Sequence, residues 1–447
     1  MRNYTRLLDP RTGDECGRVL IDDEAAVNSA VKAAHKAFAG WSKSTPQMRH
    51  DCLLALANEI SNHAEEIADA EVCNTGKTQE QVLSAEIPAA INELRFMAGA
   101  ARALLSPGAG EYVPGYLSYA LLEPLGVCAL IAPWDYPFAT AVSRLAPALA
   151  MGNTVVLKPA ETTPSSAEIL VELCAKVLPR GVVNIVYGNH ETDRALVRHP
   201  RPALVCVAGS SMAAKQIAMD AAATLKRLHL ELGGITPAIV FADADLQLAA
   251  DGITGAAFYN AGQHCTAACR VLVAEQCYER FIELLVERAN AYEPDPLNGP
   301  AQLARVAGFI QNLPAHARVR AGGKIREGSG FFYEPTVVID VQHDDEVVQE
   351  EVFGPVITVQ AFNTEQHAIQ LANAVPFGLA ASVWTRDHSR ALRLPKLIDT
   401  GTVWINCHSV VATQMSFGGE KASGYGNVLS VLALDSYSRI KHVMSHA

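Results

Sequence analysis

From residue 126 to residue 232, short β-branched runs alternate with runs whose apolar residues recur at helical spacing. This alternation constrains the fold strongly, because strands separated by helices pair in parallel through right-handed crossovers. The predicted strands span residues 127–132, 154–157, 182–187, 203–207 and 227–232, and the clearest helices span 139–150, 165–177 and 212–222. We therefore predict an α/β fold with a parallel sheet and ligand sites at the carboxyl ends of its strands.

The sequence on either side of this stretch is organised differently. Before it, helical periodicity covers residues 24–41, 46–74 and 87–105, and a breaker-rich joint at 106–112 leads to an alternating, hairpin-like stretch at 116–122. After Cys265, a second α/β segment has predicted strands at 270–274, 356–360, 380–384 and 402–405, a helix at 278–291 and a strand-like tail at 434–444. The chain is thus expected to contain more than one folding unit.

Length and composition exclude several kinds of protein. The chain has 447 residues, which is enough for more than one domain. Its composition, with 49% hydrophobic and 19% charged residues, is typical of a globular protein. The formal net charge is -11 and no basic cluster is present, which argues against nucleic acid as a partner. The ten cysteines include no CxxC pair, so neither a metal site nor a disulfide framework is expected. Without an apolar run of membrane-spanning length or a signal peptide, we expect no membrane contact and a reducing, cytoplasmic location.

Two segments contain the residue types needed for covalent catalysis on a carbonyl group. Cys265 ends the sequence Ala-Gly-Gln-His-Cys, and Glu231 stands two residues before a Gly-Gly pair at the end of a predicted strand. A thiolate attacks carbonyl carbon well, and a carboxylate can later activate the water that releases the acyl group. The pair therefore predicts a thioester route. Taken alone, Cys265 also fits a buried structural thiol, and Glu231 an exposed loop acid.

Other strand ends also carry residues suited to ligand binding. They are Trp134 and Asp135 after the first strand, Lys158 and Glu161 after the second, and Gly209 and Ser210 after the fourth. A lysine and a glutamate three residues apart can grip ribose hydroxyls, and a helix start offers N–H groups to a phosphate. Singly, these features also fit a solvated turn pair and an ordinary helix cap. The common G-x-G-x-x-G dinucleotide fingerprint is absent.

Together these segments resemble the NAD(P)-dependent aldehyde dehydrogenase superfamily, from about Leu8 to the end of the sequence. The motifs that carry the resemblance are Pro133-Trp134, Tyr136-Pro137, Lys158-Pro159, Gly209-Ser210, the Glu231 loop, Gly262-Gln263-x-Cys265, Glu350-Glu351-Val352-Phe353-Gly354-Pro355, Pro376-Phe377-Gly378-Leu379, and Phe417-Gly418-Gly419 with Lys421, Ser423 and Gly424. They occur in the family's order. The tail is most similar to that of members acting on aminoaldehydes such as γ-aminobutyraldehyde.

The resemblance implies a three-part architecture. Residues 1–105 and 125–232 would form a Rossmann-like NAD-binding domain, and residues 233–425 an α/β catalytic domain. Residues 106–124 and 426–447 would form a small β element that assembles a homodimer or homotetramer.

The resemblance also implies a role for each candidate residue. Cys265 would attack an aldehyde to give a thiohemiacetal and then a thioester, Glu231 would activate water, and the turn at Asp135 would hold the oxyanion. The residues expected to bind NAD are Trp134, Lys158, Glu161, Gly209, Ser210, Gly233, Glu351 and Phe353. The implied reaction is NAD-dependent oxidation of an aldehyde substrate to a carboxylic acid.

Several positions depart from the family pattern. Asp135 stands where the family has the oxyanion-hole asparagine, and an ionised aspartate cannot donate a hydrogen bond. Ser143 replaces a tryptophan of the aminoaldehyde group, and the neighbouring Arg144 could favour an acidic aldehyde instead. Asn427 and Val428 replace an arginine and a glutamate. A catalytically weakened relative with a binding or structural role is therefore the alternative hypothesis, whereas a CoA-acylating enzyme is disfavoured by the presence of Glu231.

Overall fold

The computed structural model describes residues 4–103 and 108–446, and its first part is mostly helical. Its elements are β1 (Tyr4–Leu8), β2 (Glu15–Leu20), α1 (Glu24–Trp41), α2 (Pro46–Asn62), α3 (Ala64–Thr75), α4 (Gln79–Gln81), a π-helical turn (Val82–Glu86) and α5 (Ile87–Arg102). The prediction of one helix over 46–74 is wrong, because His63 adopts φ -112° and ψ 21° and separates α2 from α3. The β1–β2 hairpin is missing from the sequence prediction. Residue 105, the expected end of the third helix, lies outside the described residues.

The middle of the chain contains the predicted alternation of strands and helices. Its elements are β3 (Gly110–Val113), β4 (Tyr116–Pro124), β5 (Val127–Ile131), α6 (Pro137–Ala150), β6 (Thr154–Lys158), α7 (Ser165–Val177), β7 (Val183–Ile185), α8 (His190–Arg198), β8 (Pro202–Gly209), α9 (Ser211–Ala222) and β9 (Arg227–Leu232). Every strand and helix predicted here is confirmed, and α8 is an addition. The expected hairpin is formed by β3 and β4, although part of the joint before it, residues 104–107, is not described.

The remaining elements form the second α/β segment and the tail. They are β10 (Pro237–Val240), α10 (Leu246–Phe258), β11 (Arg270–Ala274), α11 (Tyr278–Ala291), α12 (Pro300–Gln311), β12 (Arg318–Ala321), β13 (Thr336–Ile339), α13 (Glu346–Gln349), β14 (Val356–Phe362), α14 (Glu365–Asn373), β15 (Phe377–Gly378), β16 (Ala380–Trp384), α15 (His388–Arg393), β17 (Thr402–Ile405), β18 (Glu420–Lys421), β19 (Gly424–Tyr425), α16 (Ala433–Ser436) and β20 (Ser438–His446). Short 3₁₀ turns occur at Tyr259–Gly262, Glu275–Cys277 and Leu394–Lys396. The tail strand is confirmed, but it begins later than predicted, after α16.

A six-stranded sheet in the order β19-β9-β8-β5-β6-β7 is the frame of the first unit. Its strands run parallel except for β19, which pairs antiparallel with β9. The side chains of β5 alternate between two apolar layers: Cys128 and Leu130 face the cluster that includes α2, α6 and α7, while Ala129 faces the cluster that includes α1, α8 and α9. The sheet is therefore covered by helices on both faces, which confirms the predicted α/β class.

Two further sheets complete the fold. A seven-stranded sheet has the order β12-β13-β14-β11-β10-β16-β17, with only the β12–β13 pair antiparallel, and it has its own apolar cluster. A three-stranded antiparallel sheet has the order β20-β4-β3 and leaves Leu117, Leu121, Ile440 and Met444 exposed. Among the described residues, no helix is both long and apolar enough to cross a membrane.

Candidate active site

Cys265 lies in a loop whose backbone is held in an unusual conformation. The 3₁₀ turn before it contains Asn260 at φ 50° and Ala261 at φ 53°, left-handed values that are uncommon for residues other than glycine. The Asn260 amide donates to the carbonyl oxygens of Gln263 at 3.0 Å and of Asp135 at 3.4 Å. The Gln263 amide in turn donates to the carbonyls of Asn260 and Pro296. This network supports the strained turn and ties the cysteine loop to the Asp135 turn.

The thiol of Cys265 is neutral in its resting surroundings. Burial raises its pKa, and the carboxylates of Asp135, Glu351 and Glu231 raise it further, while Arg144 lowers it. The two carboxylates predicted to take part in catalysis, Asp135 and Glu231, and the predicted cofactor-binding Glu351 therefore all lie near enough to influence this thiol.

The neighbouring histidine is not the base for this thiol. His264 is buried, and its Nε2 lies 2.6 Å from the carbonyl oxygen of Ala256. Burial lowers the pKa of His264 to about 4, so its ring is neutral near pH 7. Removal of the Cys265 proton therefore requires another acceptor.

Asp135 lies beside a buried ammonium group. Burial raises the pKa of Asp135 to about 6, the positive charge of Lys77 lowers it, and Glu86 raises it. The Lys77 Nζ is 2.7 Å from the Oε1 of Glu86 and 4.0 Å from the ring centroid of Tyr136. Asp135 Oδ1 has no hydrogen-bond partner among the described residues. Near pH 6 this carboxyl group therefore exists in both protonation states.

Glu231, at the end of β9, forms a buried ion pair with Arg144 of α6. Arg144 contacts Glu231 Oε2, and His229 Nε2 lies 3.1 Å from Glu231 Oε1. The expectation that Arg144 presents its charge at the substrate entrance is wrong, because its side chain is only 9% exposed and Glu231 neutralises it. An acidic aldehyde is therefore not favoured by this residue.

Lys158 is the last residue of β6 and Glu161 follows the strand. Lys158 has a partner that the sequence did not indicate. Its Nζ lies 3.1 Å from Oδ1 of Asp193 on α8. Burial raises the pKa of Asp193, Lys158 lowers it, and the charge of Glu161 raises it further. Two carboxylates and one ammonium thus gather at the predicted ribose site.

Gly209 ends β8, and Ser210 lies between this strand and α9. The Ser210 hydroxyl caps the helix by accepting a hydrogen bond from Ala213 N at 3.3 Å. The helix-cap interpretation is therefore correct, and it is compatible with anion binding because a 12-residue helix starts here.

Glu351, a predicted cofactor-binding residue, lies against the backbone of Gly233 and Gly234. Its Oε1 accepts a hydrogen bond from Gly234 N at 2.9 Å, and a Cβ on Gly233 would lie 2.1 Å from its Oε2. Burial raises the pKa of Glu351 to about 7. Phe353, at φ 56°, packs edge to face against Trp134 with ring centroids 5.2 Å apart. In the observed conformation the absence of a side chain at Gly233 leaves room for the Glu351 carboxylate.

The chain is similar in sequence and in fold to proteins of one family. The model of the aldehyde dehydrogenase family matches residues 2–443. The chain therefore belongs to the aldehyde dehydrogenase family, and the predicted resemblance is confirmed. It is 36% identical to an aldehyde dehydrogenase of Alternaria alternata over 98% of this chain and 91% of that protein. It is 35% identical to a betaine aldehyde dehydrogenase of Bacillus subtilis over 98% of this chain and 93% of that protein.

Solved structures give the same result. The NAD+ complex of an aldehyde dehydrogenase from Bacillus cereus superposes with a TM-score of 0.97 at 35% identity, covering 99% of this chain and 93% of that one. A putative aldehyde dehydrogenase from Burkholderia cenocepacia gives a TM-score of 0.97 at 35% identity, covering 99% and 94%. The architecture is therefore that of the family over nearly the whole chain.

Sequence reasoning missed four residues that the structure brings to the site. They are Lys77, Glu86, Glu93 and Asp193. Each is a charged residue on a helix or turn that the sequence places on an ordinary polar face, and charged residues are rarely buried. The one available signal was Gly76-Lys77 after a helical run, which indicates only a helix end.

Proposed function

We propose that this protein oxidises an aldehyde to a carboxylic acid with NAD+, through covalent intermediates on Cys265. The observation that carries the proposal is that three carboxylates from separate parts of the chain, Asp135, Glu231 at the end of β9 and Glu351, all act on the buried Cys265 thiol. Perturbed ionisable groups gathered around a nucleophile are typical of catalytic sites.

The first half of the reaction forms a bond between Cys265 and the substrate. Sγ gives up its proton to a water molecule and attacks the aldehyde carbon, so that an S–C bond forms, the C=O π bond breaks and the carbonyl oxygen becomes an oxyanion. The Cys265 N–H and a protonated Asp135 would donate hydrogen bonds to this oxyanion. When bound, NAD+ accepts the hydride that leaves the carbon, and the product on the enzyme is a thioester.

The second half releases the acid. Glu231 takes a proton from a water molecule, whose oxygen attacks the thioester carbon. The C–S bond then breaks, the carboxylic acid departs and the Cys265 thiol is restored. A general base of this kind typically contributes on the order of 10²–10⁴ to the rate.

The residues around the cofactor site fit a dinucleotide. Lys158 and Glu161 would hold the adenine ribose, and the α9 N-terminus after Gly209 and Ser210 would face the pyrophosphate. Trp134, Gly233, Glu351 and Phe353 would surround the nicotinamide half. The fit is supported by the backbone at Gly233, where a side chain would collide with Glu351.

The substrate class follows less directly from the site. Betaine aldehyde dehydrogenases are among the relatives, and the tail is similar to that of aminoaldehyde dehydrogenases. The Arg144 cation is neutralised by Glu231, which removes the argument for an acidic aldehyde. We therefore propose an aldehyde that carries an ammonium group.

Assembly, location and domain division are proposed on separate grounds. The exposed apolar residues of the β20-β4-β3 sheet support a homo-oligomer built through residues 106–124 and 426–447.

The two larger sheets support a cofactor domain of residues 1–105 and 125–232 and a catalytic domain of residues 233–425. All ten cysteines are free thiols, which supports a cytoplasmic location.

The test is NADH production across a panel of aldehydes. Purified protein is mixed with NAD+ and betaine aldehyde, an aminoaldehyde, an acidic semialdehyde or a simple aliphatic aldehyde, with the Cys265→Ala variant as control. We expect Cys265-dependent turnover, fastest with a cationic substrate. Absence of NADH with every aldehyde would favour the alternative of a weakened relative.

A further inference from the structure

One buried carboxylate, that of Glu93, is not used by the proposed reaction. Glu93 on α5 is 5% exposed, and its Oε1 has no hydrogen-bond partner among the described residues. Helix α5 packs against α6, which carries Arg144. The neighbouring charges that change the pKa of Glu93 are those of Arg144, which lowers it, and Glu231, which raises it. A buried carboxylate without a partner is costly, so its position requires an explanation.

Arg144 thus has two carboxylates in its surroundings: Glu231 in direct contact, and Glu93 on the helix that packs against its own. Its guanidinium contacts Glu231 directly, while its Nε has no hydrogen-bond partner in the described part of the chain. The other groups that act on Arg144, Cys206 and Tyr437, are buried and neutral because burial raises the pKa of each. One guanidinium can neutralise only one of the two carboxylates, so the cluster holds a surplus negative charge when both are ionised.

In the observed position, Glu231 is not free to act as a base. Its Oε2 contacts Arg144, and its Oε1 lies 3.1 Å from the His229 Nε2. To accept a proton from water at the Cys265 acyl group, the carboxylate must leave Arg144. A buried guanidinium that loses its counter-ion is strongly unfavourable.

We propose that Glu93 is a positioning residue for acyl release, which takes over Arg144 when Glu231 turns toward the Cys265 thioester. This inference rests on the proposed function, because it requires Glu231 to be the hydrolytic base. Exchange of one counter-ion for another keeps the guanidinium paired throughout, so Glu231 is released at low cost. Glu93 contacts no reacting atom in this scheme and acts through Arg144.

The ionisation of Glu93 fits this exchange. Burial raises the pKa of Glu93 to about 7, with Glu231 raising it further and Arg144 lowering it. When Glu231 moves away, it raises the pKa of Glu93 less, while Arg144 still lowers that pKa. Glu93 therefore releases its proton to solvent and pairs with Arg144. Above pH 7 the exchange is favoured because Glu93 is already ionised, and below pH 7 it is opposed.

The experiment separates acylation from acyl release without the cofactor. p-Nitrophenyl acetate transfers its acetyl group to a thiol, so a p-nitrophenolate burst reports formation of the S–C bond and the later steady rate reports hydrolysis. The variants are Glu93→Gln, which cannot ionise, and Glu93→Asp, which can. Arg95→Gln, on the exposed side of the same helix, is the matched control.

We expect Glu93→Gln to keep the burst and to slow steady hydrolysis on the order of tenfold, the size of one lost buried charge interaction. The acetylated enzyme should accumulate in intact mass spectra. The rise in hydrolysis through about pH 7 should disappear in Glu93→Gln and remain in Glu93→Asp and Arg95→Gln.

Two results would overturn the proposal. One is wild-type hydrolysis and pH dependence in Glu93→Gln, and the other is an equal loss of burst and hydrolysis, which would indicate a purely structural role. A wild-type protein without a Cys265-dependent burst would instead contradict the proposed function itself, whatever Glu93 does.

Discussion

The ammonium of Lys158 lies 3.1 Å from the carboxylate of Asp193, and both side chains are largely buried. The charge of Lys158 is thus neutralised before a cofactor arrives. The nearby Glu161 adds a negative charge that reaches Asp193. At the proposed ribose site a 2′-phosphate would meet two carboxylates and no free cation from Lys158, so we expect NAD to be preferred over NADP.

Asp193→Asn should therefore increase the use of NADP. With Lys158 released, the ratio of kcat/KM for NADP to that for NAD should rise about tenfold, the size of one partly screened charge interaction. Steady-state kinetics with both cofactors measure this ratio. Glu191→Gln, an exposed change on the same helix, should leave the ratio unchanged. If the wild-type protein preferred NADP, the proposed roles of Glu161 and of Asp193 would both be wrong.

The two catalytic groups can be separated by substitution. Cys265→Ser should abolish dehydrogenase turnover, while Glu231→Gln should allow the acyl-enzyme to form and slow its hydrolysis by at least about 10²-fold. Intact mass spectrometry after mixing with aldehyde and NAD+ detects the trapped acyl group. Cys269→Ser, four residues from the nucleophile, serves as the control and should stay active. Wild-type turnover in Cys265→Ser would show that the nucleophile is misassigned.

Asp135 should make activity sensitive to pH. Below its raised pKa of about 6 the carboxyl group is protonated and can donate to the oxyanion; above that pH it is ionised and repels both the oxyanion and the Cys265 thiolate. The contribution of protonated Asp135 to the rate is therefore lost as pH rises through about 6. Ionisation of the Cys265 thiol has the opposite effect, because it increases the rate as pH rises.

Asp135→Asn should remove this loss. Loss of one oxyanion donor typically costs on the order of 10²–10³ in kcat, so restoring a permanent donor should raise kcat above pH 7 within that range. It should also lower the pKa of Cys265 by removing a negative neighbour. The pH profile of kcat/KM for both proteins is the measurement. Reduced activity of Asp135→Asn at every pH would mean that the aspartate has a positive role, for example with a cationic substrate.

The buried pair of Lys77 and Glu86 should matter for stability. Lys77→Met leaves the Glu86 carboxylate buried without its counter-ion, which typically costs about 3–5 kcal/mol. The double variant Lys77→Met/Glu86→Met should recover most of this loss, because replacing both charges by apolar groups is often nearly neutral. Thermal unfolding of the three proteins under identical conditions tests the prediction. Equal Tm values for wild type and Lys77→Met would contradict it.

Sequence patterns predict the framework of this fold well because the framework is periodic. The helix at 165–177 and the strand at 227–232 agree with the structure to the residue. The helix keeps a 3.6-residue period, and the strand alternates polar residues with leucines at a period of two. The motif residues also follow, because Cys265 and Glu231 occur in segments that the family resemblance identifies.

The charge partners of the site could not be predicted in the same way. Arg144 and Glu231 are far apart in the sequence, and nothing in their spacing indicates that two long side chains meet behind a sheet. Asp193 and Glu93 lie on helices whose polar residues have no local sign of burial. Which charges pair in an interior depends on how helices pack, and single-sequence periodicity does not contain that information.

The strand that ends in Glu231 is completed by residues that come much later in the chain. Gly424 of β19 pairs with Glu231, and the Leu232 N–H donates to the Ser423 carbonyl at 3.0 Å. During synthesis, β9 can join its parallel neighbours long before residues 423–425 leave the ribosome. The proposed base therefore acquires its final backbone support late, so a chain still being made can form the sheet of the proposed cofactor domain before the strand that carries Glu231 is complete.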